Sequence, residues 1–507
     1  MNALAKLIDE ARLKVEEAES DEVSADPWRL LYHLMPPVGW LNDPNGLCYF
    51  NGSYHVFFQY APFSADGAGL KLWGHYQSKD LINWTYKGAP VLPDTAWDCH
   101  GVYSGSSFVG ENPGQAPSAD HSQTCHIFYT GNVKEPGRHD YINSGRGSAT
   151  ITLVFEPGGK FGEKQLLLSN EDYPADYSCH IRDPKVWQQE QNYYMVLGAR
   201  TKSGHGGVLQ YRSRDLVHWE LDQKIGPKEK FGYMWECPDI FNLDDSGRTT
   251  YILSFSPQGL ERGRESFQNV YQSGYLIMTR DQVYQTGGDQ VRQVQLDQVK
   301  FREWDYGFDF YAPQTFQDQS GRRILIAWAG LPDIQEEYQN PTVARGWQHC
   351  LSLPRVLTFR QGQVYQEPVE ELQKLRQEGQ ILRSEKKETP MAYQLHTRSY
   401  ELYLPNVKEP EGCLRLGQDL EFRWKPGLCL LEFLNETGAG RKVRYCPLNG
   451  LTSLRLMADN SILEFYLNEG ERVMTTRYYP VEKDHSIYCT GGQTLQLWTL
   501  AKPSVNK

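Results

Sequence analysis

Asp43, Asp183 and Glu236 are the residues of this chain whose type and setting best suit catalysis. Asp43 sits in Trp40-Leu41-Asn42-Asp43-Pro44-Asn45-Gly46, Asp183 in Arg182-Asp183-Pro184, and Glu236 in Trp235-Glu236-Cys237-Pro238. Two carboxyl groups about 5–5.5 Å apart can perform retaining glycoside hydrolysis, one as nucleophile and one as acid/base. Such a pair must titrate differently, with the nucleophile ionised and the acid kept protonated by burial and like-charged neighbours. A Glu among Trp, Cys and Pro invites a raised pKa. Each motif also has a structural explanation. Asn-Asp-Pro-Asn-Gly is a strong turn, and Arg182-Asp183-Pro184 reads equally as an ion-paired one. The 13 tryptophans and 31 tyrosines would suit stacking on sugar rings, although each alone fits a core better.

Other chemistries lack their residues. There is no Gly-x-Ser-x-Gly, no phosphate-binding Gly-rich loop, no dinucleotide fingerprint and no His-Glu-x-x-His. The 13 histidines are not paired at metal-ligand spacing, so neither a metal nor a cofactor is expected. With 52 Lys plus Arg against 63 Asp plus Glu, the formal net charge is -11. That balance supplies no global field for nucleic acid or anionic lipid. No apolar run approaches the roughly 20 residues of a transmembrane helix. Charged residues from Lys6 to Lys14 interrupt any signal-peptide core, and Leu4, Leu7, Ile8, Ala11 and Val15 instead follow helical spacing. The ten cysteines show no C-x-x-C pair; without an export signal they read as free thiols in the cytoplasm.

The elements that must position the carboxylates form an imperfect repeat. A polar or proline-containing start leads into a short strand, a turn, and a second strand rich in aromatic and β-branched residues. The starts are Asn42-Asp43-Pro44, Tyr103-Ser104-Gly105, Arg182-Asp183-Pro184, Glu236-Cys237-Pro238 and Tyr311-Ala312-Pro313. Turns follow the first at Asn51-Gly52, the fourth at Asp244-Asp245-Ser246-Gly247 and the fifth at Ser320-Gly321. Ser78-Lys79-Asp80-Leu81-Ile82-Asn83-Trp84 is echoed by Ser213-Arg214-Asp215-Leu216-Val217-His218-Trp219. Five such units predict a β-propeller; a run of hairpins in a large sandwich or barrel is the alternative. In a propeller the five starts converge on one funnel. Phase is a difficulty, because proline follows Asp43 and Asp183 directly but comes two residues after Glu236. Beyond the fifth unit, Pro368 to Arg376 reads as a short helix, followed by the charged stretch Arg383 to Glu388. Strand-like runs from about Ala392 onward predict a β-sandwich.

In order and spacing, the three carboxylate motifs resemble the signature blocks of the β-fructofuranosidases, glycoside hydrolase family 32. Further blocks are similar: Phe58-Gln59-Tyr60, Trp73-Gly74-His75, Tyr103-Ser104-Gly105-Ser106, Phe310-Tyr311-Ala312-Pro313-Gln314, Gly346-Trp347-Gln348-His349-Cys350 and Asp459 to Phe465. The resemblance implies an all-β chain: a short N-terminal helix in 1–30, a five-bladed catalytic propeller over 31–358, a linker over 359–388 and a β-sandwich over 389–507. It implies Asp43 as nucleophile, Asp183 as transition-state stabiliser and Glu236 as acid/base. Asn42, Gln59, Trp73, Tyr103, Ser104 and Arg182 match positions lining a fructosyl pocket, and Arg182 could keep Asp183 ionised. The nearest branch is the sucrose-6-phosphate hydrolases, so the expected partner is a small sugar, sucrose 6-phosphate or sucrose. Arg345 and His349, beside the last propeller block, are candidates for the phosphate; a structural ion pair and a core histidine are their alternatives. A fructan-degrading or fructosyl-transferring relative would share the carboxylates. A non-catalytic sugar-binding propeller would have no reason to keep all three.

Overall fold

Asn51 and Gly52 both adopt positive φ, 47° and 72°. That conformation closes a two-residue hairpin and sets Phe50 opposite Ser53. The computed structural model describes residues 2–110, 123–245, 247–284, 290–383, 390–481, 485–490 and 492–503. Ser246 of the fourth turn and residues 384–388 of the charged stretch lie outside them. Almost all regular structure is antiparallel strand.

Each of the five sequence units opens a sheet. The five opening strands are Gly39–Phe50, Val102–Gly110, Tyr177–Gln189, Met234–Asp245 and Tyr311–Gln317. Each is followed in its sheet by the strand that the sequence pairs with it: Ser53–Ala61, Thr124–Lys134, Asn192–Thr201, Arg248–Gln258 and Arg323–Trp328. Apolar residues on both faces bury each sheet against its two neighbours, and the resulting cores run in a circle. Phe57 and Trp73 of the first sheet pack with Ile127 and Tyr129 of the second. Phe128 packs with Leu197 and Leu209 of the third, and Val196 and Val208 with Leu253 and Phe255 of the fourth. Ile252 meets Leu325 of the fifth, whose Ile324 and Ile326 return to Val56 and Phe58 of the first. Trp347–Gln348 pairs in parallel with the edge of the first strand at Gly39 and Trp40, adding late chain to the first sheet.

The Ser-x-Asp-Leu-x-x-Trp echo is one turn used twice. Leu81 and Leu216 take φ of 64° and 65°, Asp80 and Asp215 accept from the backbone N–H groups that follow, and Trp84 and Trp219 donate to the Leu carbonyls.

Two six-stranded sheets form the C-terminal region. They share a core that includes Leu402, Leu414, Phe422, Leu431, Leu456 and Phe465. The segment 359–388, expected as a linker, is largely strand. Gln363–Pro368 completes the fifth sheet, and Arg376–Arg383 pairs with Thr494–Leu500 of the C-terminal region. Gln363–Pro368 buries three consecutive residues and Arg376–Arg383 is exposed along almost its whole length, so neither edge strand shows the alternation by which a sequence reading recognises a strand. The short helix expected there is present as Glu370–Leu375.

Ala3–Ser24 is helical as expected, but its docked side differs in part. Leu4 and Leu7 are exposed, while Ala5, Arg12 and Val23 are buried. Ala5 and Val23 join apolar cores against which Ile8 and Val15 of the expected face also pack. Polar contacts add to them: Glu16 accepts from the hydroxyls of Tyr60 and Tyr86, and Arg12 pairs with Asp9 and Glu16. No helix among the described residues is long and apolar enough to cross a membrane.

Candidate active site

All five opening strands lose regular pairing at the same point along their length. The register shifts fall between Leu41 and Pro44, Val102 and Gly105, Arg182 and Lys185, Glu236 and Asp239, and Tyr311 and Gln314. In four of the five a proline (Pro44, Pro184, Pro238 or Pro313) removes a ladder donor, and Asp183, Cys237 and Ala312, each preceding one, take positive φ of 65°, 48° and 48°. Such irregularities re-aim side chains that strict alternation would send elsewhere. They resolve the phase difficulty, since Asp43, Asp183 and Glu236 line one cavity of about 380 Å3. A larger cavity of about 560 Å3, near the other ends of these strands, has none of the three in its wall.

Asp43 lies at the first bulge. Its Oδ2 accepts from the Ser104 hydroxyl and from the Cys237 thiol at 3.7 Å, which fixes the rotation of the carboxylate. Asn45 ties the same bulge to the second strand by donating to the Asp43 carbonyl and accepting from Gly105 N–H. Desolvation, reinforced by the nearby Glu236 charge, lifts the Asp43 pKa to about 6 against the opposing Ser104 hydrogen bond.

Asp183 is buried, with its N–H donating to Thr130 Oγ1 and its Oδ2 accepting from Cys237 N–H at 2.9 Å. Desolvation lifts it to about 7 in spite of Arg182. The expectation that Arg182 keeps Asp183 ionised is therefore not met. Arg182 Nη2 instead donates to Glu236 Oε1 at 2.7 Å. Glu236 Oε2 accepts from Tyr311 at 2.6 Å and from Gln258 at 2.9 Å. Three donors thus orient Glu236 while leaving it at the cavity wall.

Asn42, Gln59, Tyr103, Ser104 and Arg182 line the cavity as expected. Trp40 donates to Asn42, which in turn donates to Gln59, so these amides are held before any ligand arrives. Trp73 does not line it. Its ring is fully buried between the first two sheets, and its indole donates to the Tyr103 carbonyl at 3.1 Å. Nor do Arg345 and His349. Arg345 lies over the Trp28 ring and 3.5 Å from Asp26, tying down the N-terminal segment. His349 is buried edge-on against Trp40 and Trp328, where burial and nearby cations hold it neutral. A neutral ring behind the wall cannot receive a phosphate.

The wall also contains Trp40, Lys71, Arg146, His180, Gln258 and Trp328, none of which the sequence reading assigned to the site. Gln258 had a signal: a polar residue ending an apolar strand opposite the Glu236 motif. Arg146 had none, because it arrives from another strand of the second sheet, Arg146–Phe155, whereas His180 stands on the third opening strand two residues before Arg182.

No group of three or more His, Cys, Asp or Glu among the described residues has metal-binding geometry. The arrangement offers two carboxyl groups perturbed by burial, a third held by donors, and amide and aromatic side chains of the kind that bind sugars.

Residues 33–368 match the model of the glycosyl hydrolases family 32 N-terminal domain, and residues 372–499 that of the glycosyl hydrolases family 32 C terminal. The chain is 36% identical to the sucrose-6-phosphate hydrolase of Bacillus subtilis (strain 168), over 96% of its own length and 98% of that protein. The structure of sucrose-6-phosphate hydrolase from Lactobacillus gasseri matches with a TM-score of 0.79 at 27% identity, covering 97% of this chain and 96% of that one. A variant of a Bombyx mori GH32 beta-fructofuranosidase in complex with sucrose also has a TM-score of 0.79, at 29% identity, covering 98% and 100%.

Proposed function

The chain belongs to glycoside hydrolase family 32 and is a glycoside hydrolase; from that premise we propose that it hydrolyses sucrose 6-phosphate and sucrose with retention of configuration. The observation that carries this reading is the convergence of Asp43, Asp183 and Glu236 on one cavity. Asp43 attacks the anomeric carbon of the fructosyl unit while Glu236 gives its proton to the departing glucosyl oxygen. The fructosyl-enzyme then reacts with water, which returns a proton to Glu236 and releases Asp43. Asp183, once ionised, accepts hydrogen bonds from fructosyl hydroxyls that strengthen as oxocarbenium charge develops. Asn42, Gln59 and Ser104 hold the fructosyl ring. Arg182 orients Glu236.

The architecture that fits is a five-bladed propeller followed by a β-sandwich. Five cores running in a circle support the first, and two six-stranded sheets sharing one core support the second. The catalytic unit extends to Pro368, since Gln363–Pro368 is a strand of the fifth sheet. Ten free cysteines suit a reducing cytoplasm.

Incubation with each donor tests the reaction: fructose should appear with glucose 6-phosphate or glucose, and rapid NMR should show the β-anomer first. The α-anomer first would mean single displacement and remove Asp43 as nucleophile. Asp43→Asn should abolish turnover on every donor. Glu236→Gln should be severe on sucrose yet recover on a donor whose leaving group needs no proton. Equal loss by both variants on that activated donor contradicts the assignment of roles.

A further inference from the structure

If Glu236 protonates the leaving oxygen, the glucosyl half of the donor must lie against the wall that holds Glu236 and its partner Arg182. Two guanidinium groups, Arg182 and Arg146, share that wall with His180, and a third, Arg200, lies outside the wall but close enough to act on His180. His180 accepts from Arg182 Nη1 at Nδ1 and donates from Nε2 to the Tyr141 carbonyl. Burial, then the charges of Arg182, Arg146 and Arg200, push its pKa down to about 3, so the ring is neutral and the three cations are not diluted by a fourth.

Only Arg182 is matched by a carboxylate. Among the described residues, neither Arg146 nor Arg200 has an ion-pair partner. Arg146 lines the cavity, donating Nη1 to Asn132 Oδ1 at 2.8 Å and Nε to the Tyr141 carbonyl; these bonds orient the group without neutralising it. Arg200 lies over the Tyr233 ring at 4.7 Å, and its Nε is shut from water with no acceptor. Both guanidiniums are half-buried without a counter-charge, although a chain of net charge -11 has carboxylates to spare for them. Their absence here leaves a place for an anion brought by the ligand. Planar guanidinium forks suit a phosphate monoester, which accepts paired hydrogen bonds.

We infer that Arg146 and Arg200 form the subsite that binds a phosphate monoester on the leaving-group half of the donor. The inference rests on the β-fructofuranosidase reading above and assigns its phosphate selectivity to residues remote in sequence from every signature block.

The test is kcat/KM for sucrose 6-phosphate and for sucrose on the wild type, Arg146→Ala, Arg200→Ala and the double variant. Each single change should lower the value for sucrose 6-phosphate by roughly thirtyfold and that for sucrose by less than about threefold, as expected for loss of charge-assisted hydrogen bonds to phosphate. The double variant should lose the preference altogether. Should an alanine variant fail to fold, Arg146→Lys keeps the charge but not the fork and should lose part of the preference. Inhibition of wild-type sucrose hydrolysis gives a readout free of mutation: glucose 6-phosphate should inhibit at least about tenfold more strongly than glucose. Parallel losses on both donors, or a preference surviving the double change, overturn the assignment. A wild type that cleaves both donors equally overturns the phosphate subsite and leaves the β-fructofuranosidase reading standing. Cleavage of neither donor overturns that reading itself.

Discussion

The nucleophile assigned to Asp43 must be ionised, and desolvation holds its proton until about pH 6. The acid limb of kcat/KM should therefore fall between about pH 6 and 7, where Asp43 and Asp183 ionise, rather than near 4, as a property of the coupled carboxylates. A limb near 4 would mean that water enters the site far more freely than the packing around Asp43 allows. Asp183 carries the complementary stability effect. Its folded pKa of about 7 lies above the unfolded value near 3.8, so the native state holds a proton that the unfolded state has lost. The contribution is fully favourable below the unfolded value and is lost as pH rises through about 7. Asp183→Asn should accordingly be nearly inactive yet more stable at pH 8, by on the order of 2 kcal/mol. Thermal unfolding at several pH values checks this: the gain in Tm should close as pH falls toward 4.

At the scale of the element, the device that matters is the bulge repeated in each opening strand. Regular pleating would send Glu236 and Asp183 to opposite faces, given their different distances from proline. The bulge frees the carboxylates from that alternation and anchors each to a neighbouring strand, as Asn45 does between Asp43 and Gly105. Gly105 shows how little room this leaves, for a Cβ there would overlap the Phe128 carbonyl and Tyr129 Cα. Backbone atoms cannot move aside as a flexible side chain would. Gly105→Ala should cost roughly 2 kcal/mol or more. By shifting Ser104 off Asp43, it should also lower kcat more than it raises KM. Unfolding in urea and steady-state kinetics measure the two effects separately, and a variant with wild-type kcat would show that Ser104 does not position the nucleophile.

For the whole molecule, the sheets around the candidate active site are fixed to the C-terminal region by buried charge. Arg355 bridges Asp305 and Glu464, at 3.2 and 2.9 Å, with all three side chains inaccessible to solvent. Glu464 also accepts from Leu353 N–H and Tyr466 and contacts His33. Nearby, Asp459 accepts the N–H groups of Leu31, Tyr32 and His33. The Asp459 to Phe465 block is therefore a docking element that clamps the N-terminal segment and the fifth sheet. Burial alone would raise Glu464, yet Arg355 and His33 pull it down to about 2. Its contribution to stability is present above the unfolded value near 4.5 and is lost as pH falls toward 2. Glu464→Gln leaves Arg355 short of a counter-charge and should cost about 3 kcal/mol at pH 7, the price of breaking a buried pair. The deficit should shrink between pH 4.5 and 2 and respond little to salt. A strongly salt-sensitive deficit would place the pair in water.

The sequence by itself determined the strands, the fivefold unit and the three carboxylates. All are written locally, in alternating apolar residues, in Asn-Gly and Ser-x-Asp turns, and in the prolines and glycines that irregular backbone requires. Asn42, Gln59, Tyr103, Ser104 and Arg182 were legible only through the resemblance of their blocks to those of the family. Only the tertiary structure decided who faces whom. It gave Arg182 to Glu236 instead of Asp183, buried Trp73 between sheets, turned Arg345 to Asp26 and His349 to the tryptophans, and brought Arg146 to the cavity wall with Arg200 near its neighbour His180. Each of these depends on how separate sheets pack around the ring, where desolvation and long-range pairing set the charge and direction of a side chain, and no run of neighbouring residues encodes that.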